Sequence, residues 1–128
     1  MVKQLTQGVE ISVQTRFLPA ESSIRQGHYF FMYEITIENK NEFSVQLLSR
    51  HWYINDSNGD YREVKGEGVI GEQPVIEPQQ KYTYRSGCNF ATEIGKMYGT
   101  YTMLRLVDNK EFLAEIPEFY FVLPAKLN

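Results

Sequence analysis

The stretch "VEISVQTRF" (residues 9–17) alternates without a break: Val9, Ile11, Val13, Thr15 and Phe17 fall on one face, Glu10, Ser12, Gln14 and Arg16 on the other. A period of two is that of a strand with one face buried and one wet. The same period recurs in "HYFFMYEITIEN" (residues 28–39), where Phe31, Tyr33, Ile35 and Ile37 oppose Phe30, Met32, Glu34 and Thr36. Between the two lies "LPAESSIRQG", a loop bounded by Pro19 and Gly27.

Downstream, "FSVQLLSRHWYINDSNGDYREV" reads as a hairpin with arms at residues 43–55 and 61–64. Asn58-Gly59 supplies the positive φ angles of its tight turn. "QKYTYRSG" alternates Tyr82 and Tyr84 against Lys81, Thr83 and Arg85, and "GTYTMLRLV" reads as a strand opening at Gly99. "EFLAEIPEFYFVL" is interrupted by Pro117, which donates no ladder hydrogen bond, and reads as two short strands around a bulge or one bent edge strand. "NFATEIGKM" offers at most one helical turn before Gly95 and Gly99. Seven to nine short strands with regular turns predict an all-β, antiparallel sandwich of the immunoglobulin or fibronectin type III kind, with a barrel as the alternative. Trp52 is expected in its core.

The 128 residues make one domain's worth of chain, with the sandwich expected over about residues 9–122. Formal charge is −3 and the cations are scattered singly, which argues against a nucleic-acid surface. Cys88 is the sole cysteine, so no intramolecular disulfide forms and the chain reads as intracellular. The N-terminus has no signal-like apolar segment, and "YFFMY" and "FYFVLP" are far short of a membrane span. A cytoplasmic location is expected.

Gly66, Gly68 and Gly71 in "KGEGVIGEQPVIEP" (residues 65–78) have the spacing G-x-G-x-x-G. A dinucleotide fingerprint needs a helix after the glycines, to aim N–H groups at the pyrophosphate. Pro74 and Pro78 deny it that helix, and no lysine follows Gly71 as a phosphate-binding loop requires. The glycines read as a turn or bulge device, with an anion nest as the minor alternative.

The same residues carry a family resemblance. "EVKGEGVIGEQPVIEP", the Arg-x-Trp of "LLSRHWYIND", "YTYRSGCNFATEIGKMYGTYTM" and "AEIPEFYF" are similar, in order, to the motifs of the ApaG family. These are small bacterial proteins also known as CorD, whose domain occurs in some F-box proteins. Asn89 and Glu93 stand where that family usually has proline, which bears on local loop shape. The resemblance implies a fibronectin type III-like sandwich, cytoplasmic, without an established enzymatic activity. It implies a loose association with cobalt tolerance and magnesium efflux, and a protein-recognition role.

The residues themselves suggest no catalyst. His28, His51 and Cys88 lack metal-ligand spacing, "DSNGD" reads as a hairpin turn rather than a calcium loop, and there is no nucleophile elbow. A catalytic Cys88 partnered by His28 or His51 and a phosphate-ester hydrolase are the weakest readings. The leading expectation is a non-enzymatic module, without cofactor or metal, that binds an unidentified protein partner. Phe119, Tyr120 and Phe121 in the C-terminal strand are the candidate interface, which could also form a homodimer. The alternative is a binder of small anions, nucleotides or pyrophosphate through Gly66, Gly68 and Gly71, helped by Arg50, His51 and Arg85.

Overall fold

The computed structural model describes residues 1–124 and contains nine strands and two short 3₁₀ turns. The strands are β1 (Val2–Thr6), β2 (Val9–Phe17), β3 (Tyr29–Asn39), β4 (Val45–Asp56), β5 (Tyr61–Glu67), β6 (Val75–Ile76), β7 (Lys81–Phe90), β8 (Ile94–Arg105) and β9 (Lys110–Val122). They form two antiparallel sheets, β1-β2-β3-β7 and β5-β4-β8-β9, with β6 also pairing with β4. The architecture is an all-β sandwich.

The alternation seen in the sequence is what packs it. Val9, Ile11 and Val13 on β2 and Phe31, Tyr33, Ile35 and Ile37 on β3 are buried. They meet Trp52 and Ile54 of β4, Tyr101 and Met103 of β8, and Phe119 and Phe121 of β9 in one core. Phe121 lies 5.2 Å from the rings of both Phe31 and Phe90, and Trp52 packs edge-on against Tyr33, Tyr101 and Phe119.

Several boundaries differ from the reading of the sequence. β1 precedes Val9, and its Thr6 Oγ1 accepts from the Glu115 N–H of β9 at 3.2 Å, fastening the two sheets along that side. In the β4–β5 turn only Gly59 takes a positive φ (96°); Asn58 instead accepts the Asp60 N–H on its side-chain oxygen. β8 opens at Ile94 rather than Gly99, because the turn over residues 91–93 is held without a helix. Asp56 there accepts the Ala91 N–H at 2.7 Å and the Thr92 hydroxyl. Pro117 sits inside one continuous strand at a bulge, where β9's pairing jumps from Phe119 to Ile116 across Tyr98.

Two buried polar groups fix how the layers meet. Asn39, fully buried, donates to the Phe43 and Ile76 carbonyls at 2.8 and 2.9 Å and accepts the Asn41 N–H. The Tyr84 hydroxyl of one sheet bonds the Tyr101 hydroxyl of the other in the interior. Burial pushes both phenols above their usual value of 10.0. A raised folded-state value means the folded protein holds those protons more tightly than the unfolded chain. Stability is therefore intact below pH 10 and declines as pH rises beyond it. Urea midpoints at pH 8 and pH 11 are expected to fall across that interval, and Tyr101→Phe alone is expected to cost about 1–2 kcal/mol by orphaning Tyr84. An unchanged midpoint at pH 11 would contradict this.

Candidate functional site

The glycine loop is built from inward-facing bonds. β5 runs as far as Glu67, so Gly66 is a strand residue rather than a loop residue. Beyond it, the Gly68 N–H donates to the Leu48 carbonyl at 2.8 Å. Val69 and Glu72 exchange N–H···O bonds at 2.8 and 3.0 Å, and the residues between them, Ile70 and Gly71, both have positive φ (49° and 74°). That is the geometry of a type I′ turn. The amides of Gly68, Val69 and Glu72 thus serve their own fold and do not converge on an anion. Gly68 is required because a Cβ there would lie 2.2 Å from the Glu72 oxygen, and its φ is 63°.

Ile70 is the anomaly of the turn: a β-branched residue in the left-handed region, 62% exposed. Ile70→Gly is expected to raise stability by about 1 kcal/mol by relieving that strain, as read by thermal unfolding. A loss of stability would show that the Ile70 side chain makes a contact worth more than its strain.

The proposed partners of the loop do not meet. Arg50 has the parity of Trp52 and Ile54 and points between the sheets, where its Nη1 donates to the carbonyls of Glu67 (3.1 Å) and Gly68 (2.9 Å). Gly66, directly opposite on β5, leaves the space for that crossing, since a Cβ there would lie 2.8 Å from Nη1. His51 points to the solvent face of the same sheet and bonds Glu63 at 2.7 Å. Arg85 lies on the outside of the other sheet, bonded to Glu34 at 2.6 Å. One residue of register separates Arg50 from His51, and a whole sandwich separates His51 from Arg85. The expected patch of Arg50, His51 and Arg85 therefore does not form.

The expected C-terminal interface is corrected in the same way. Phe119 and Phe121 are core residues, 2% and 0% exposed, so only Tyr120 (56%) faces solvent. The notable surface lies on the outer face of the β5-β4-β8-β9 sheet. There His51 stacks on Tyr53 at 4.3 Å and Tyr53 on Tyr98 at 5.1 Å, 10° from parallel. Tyr61 and Tyr120 flank this row and are more than half exposed. Local desolvation, and after it the bond to Glu63, raise the Tyr61 hydroxyl to about 12. Glu63 is held below its usual value by His51 and Tyr61. Glu63, Glu67, Glu115 and Glu118 outnumber Lys65 and Lys96 on this face, making it aromatic and acidic. Its alternation is visible in the sequence, but which face would carry the aromatics depended on knowing the inner one.

A second feature lies between the sheets, at the side away from β1 and β9. There β5 and β7 are free edges, and a cleft of about 290 Å³ is lined by Arg50, Arg62, Tyr33, Trp52, Val64 and Cys88 among others. Arg62 Nη2 crosses it from β5 to the Asn89 carbonyl (2.6 Å) and the Cys88 sulfur (3.3 Å). Burial pushes the Cys88 thiol up, the nearby Arg62 charge opposing it, and His51 stands on the far side of β4. Among the described residues no imidazole bonds Cys88, whose sulfur meets Arg62 and the Asn89 carbonyl instead of the base a thiolate nucleophile needs. Among the described residues no group of three or more His, Cys, Asp and Glu gathers as a metal site, and no helix is long and apolar enough to cross a membrane.

Fold and surfaces define a small antiparallel β-sandwich with an aromatic sheet face and a cleft at its open edge. Residues 19–105 match the ApaG domain family. Over 120 residues the chain is 48% identical to Protein ApaG of Pseudomonas paraeruginosa, covering 94% of both, and over 111 residues it is 45% identical to Protein ApaG of Acidithiobacillus ferrooxidans. It superposes with a TM-score of 0.88 on the crystal structure of the putative ApaA protein from Bordetella pertussis, 37% identical, covering 91% of this chain and 94% of that one. The chain belongs to the ApaG family. A segment of a Bacteroides uniformis β-glucuronidase, 12% identical, shares the fold alone (TM-score 0.51, 92% of this chain and 13% of that one).

Proposed function

We propose that this protein is a non-enzymatic, cytoplasmic docking module of the fibronectin type III-like kind, which binds another protein through the outer face of its β5-β4-β8-β9 sheet. The observation that supports this is the half-buried, solvent-facing row His51, Tyr53 and Tyr98 with the exposed Tyr61 and Tyr120 beside it. Rigid tyrosines supply contact area at little entropic cost and are enriched at interfaces. The surrounding glutamates favour a partner segment bearing lysine or arginine, whose cations pair with the carboxylates and lie over the rings. Any role in cobalt tolerance or magnesium efflux would run through that partner, not through a metal held by this chain.

Capture from the host with wild type and with Tyr98→Glu tests the reading. Tyr98 is a surface position, so the variant keeps the fold while breaking the stack and adding like charge. A partner retained about tenfold better by wild type, and released by salt, is the expected result. Equal retention by both would end this assignment.

A further inference from the structure

We propose that the cleft between β5 and β7 binds a small organic dianion, its two oxyanion ends held by Arg50 and Arg62 and its apolar body lying on Trp52 and Val64. This site is separate from the tyrosine face, from which β4 and β5 divide it. Either assignment can fail without the other.

Charge is the first argument. The lining contains two guanidiniums and no carboxylate. Arg85 and Arg105 each have an acidic partner, whereas among the described residues Arg50 and Arg62 make no ion pair. Arg50 is half-buried and Arg62 is exposed, so the nitrogens that the fold does not use stay open to solvent and to a ligand. Arg50 uses Nη1 and Arg62 uses Nη2, while Nε and Nη2 of Arg50 and Nε and Nη1 of Arg62 make no hydrogen bond to the described residues. The backbone carbonyls that take the used nitrogens also hold each fork in orientation. On Arg50 the unspent Nε–H and Nη2–H lie side by side and match the two oxygens of a carboxylate or phosphate, while Arg62 offers single donors at Nε and Nη1.

Spacing is the second argument. Arg50 stands opposite Gly66, and Arg62 opposite Ile54, four residues further along β4. That is about 13 Å of strand, so the arginines reach the cleft from its two ends. The pair between them on the same inner face is Trp52 opposite Val64, an apolar floor. Its volume, about 290 Å³, suits a single-ring ligand rather than a large cofactor. Tyr33, its phenol pushed up by burial, and Ser86 add neutral polar groups at the wall.

Trp52 is the only tryptophan, so its fluorescence reports on the cleft directly. The probes are terephthalate and 1,4-phenylene bisphosphate as dianions, benzoate as a monoanion and 1,4-benzenedimethanol as the neutral analogue. Expected is saturable fluorescence change, with amide shifts at Ser86, Gly87 and Asn89, for at least one dianion at millimolar concentration. That dianion should bind about tenfold more tightly than benzoate, and the neutral analogue should give no response. Whichever dianion binds identifies the oxyanion as carboxylate or phosphate. Arg62→Gln and Val64→Glu should each weaken binding at least about tenfold, the latter by placing a carboxylate in the cleft from a partly exposed edge position that tolerates it. The proposal is overturned if neither dianion responds, if benzoate or the neutral analogue binds equally well, or if a folded Val64→Glu binds unchanged.

Discussion

Trp52→Ala is expected to destabilise the protein by about 4 kcal/mol, a large part of the roughly 5–15 kcal/mol that holds a domain of this size together. Two terms add. The indole, 2% exposed, loses the transfer free energy of its buried surface. It also vacates a position bounded by Tyr33 at 5.6 Å, Phe119 at 5.8 Å and Tyr101 at 6.2 Å, whose edge contacts are lost with it. One term works the other way: Trp52 also borders the cleft, so water can enter part of the space and the cavity penalty is smaller than in a sealed core. The transfer term is untouched by that, which keeps the effect large. Trp52→Phe should retain more than half of the lost stability. Urea denaturation of both variants reads the difference, and a loss below about 2 kcal/mol for the alanine would mean that the indole is not a central packing element.

The period of two was legible because a sheet with one buried face writes its pattern directly into the chain. Val9 through Phe17 and Phe31 through Ile37 could be assigned to faces without knowing what they faced. What the sequence left open were quantities set between strands. Phe119, Tyr120 and Phe121 form an apolar run, and a run does not say which of its members alternate outward until the sheet partner is known. Arg50 and His51 are neighbours in sequence and sit on opposite sides of a sheet. Arg85 shared their charge but belonged to the other layer. Arg62 carries no signal of its own in the sequence, although "DYREV" places it on one face with Val64, because an arginine on a short exposed strand resembles any solubilising charge. Its meaning comes from Asn89 across the gap, a contact of long sequence separation. The glycine motif was legible as a turn from Pro74, yet the conformation that fixes it, positive φ at Ile70, runs against the preference of that residue.

Gly99 shows the same division and leads to the other large effect. An isolated glycine in a strand pattern signals either a strand end or a close backbone approach. Here it is the second: Gly99 lies within β8, directly opposite Trp52, and its φ is not positive. A Cβ at Gly99 would fall 2.1 Å from the His51 carbonyl oxygen and 3.2 Å from the Trp52 Cα. Both are backbone atoms of the neighbouring strand, so no rotamer change relieves the clash. β4 and β8 would have to move apart at the point where β9 is already bulged. The displacement would reach both faces of the sheet, the His51 stack outside and the Trp52 packing inside. Gly99→Ala is therefore expected to cost about 3 kcal/mol. Gly71→Ala meets no atom within 4 Å and should cost only the left-handed backbone penalty, about 1 kcal/mol. Gly87→Ala, whose Cβ would make ordinary contact with the Phe31 oxygen at 3.6 Å, should be near neutral. The ordering Gly99 above Gly71 above Gly87 in urea midpoints is the measurement. A Gly99→Ala variant as stable as Gly87→Ala would show that the central strands can separate freely, and that glycine is not what sets their approach.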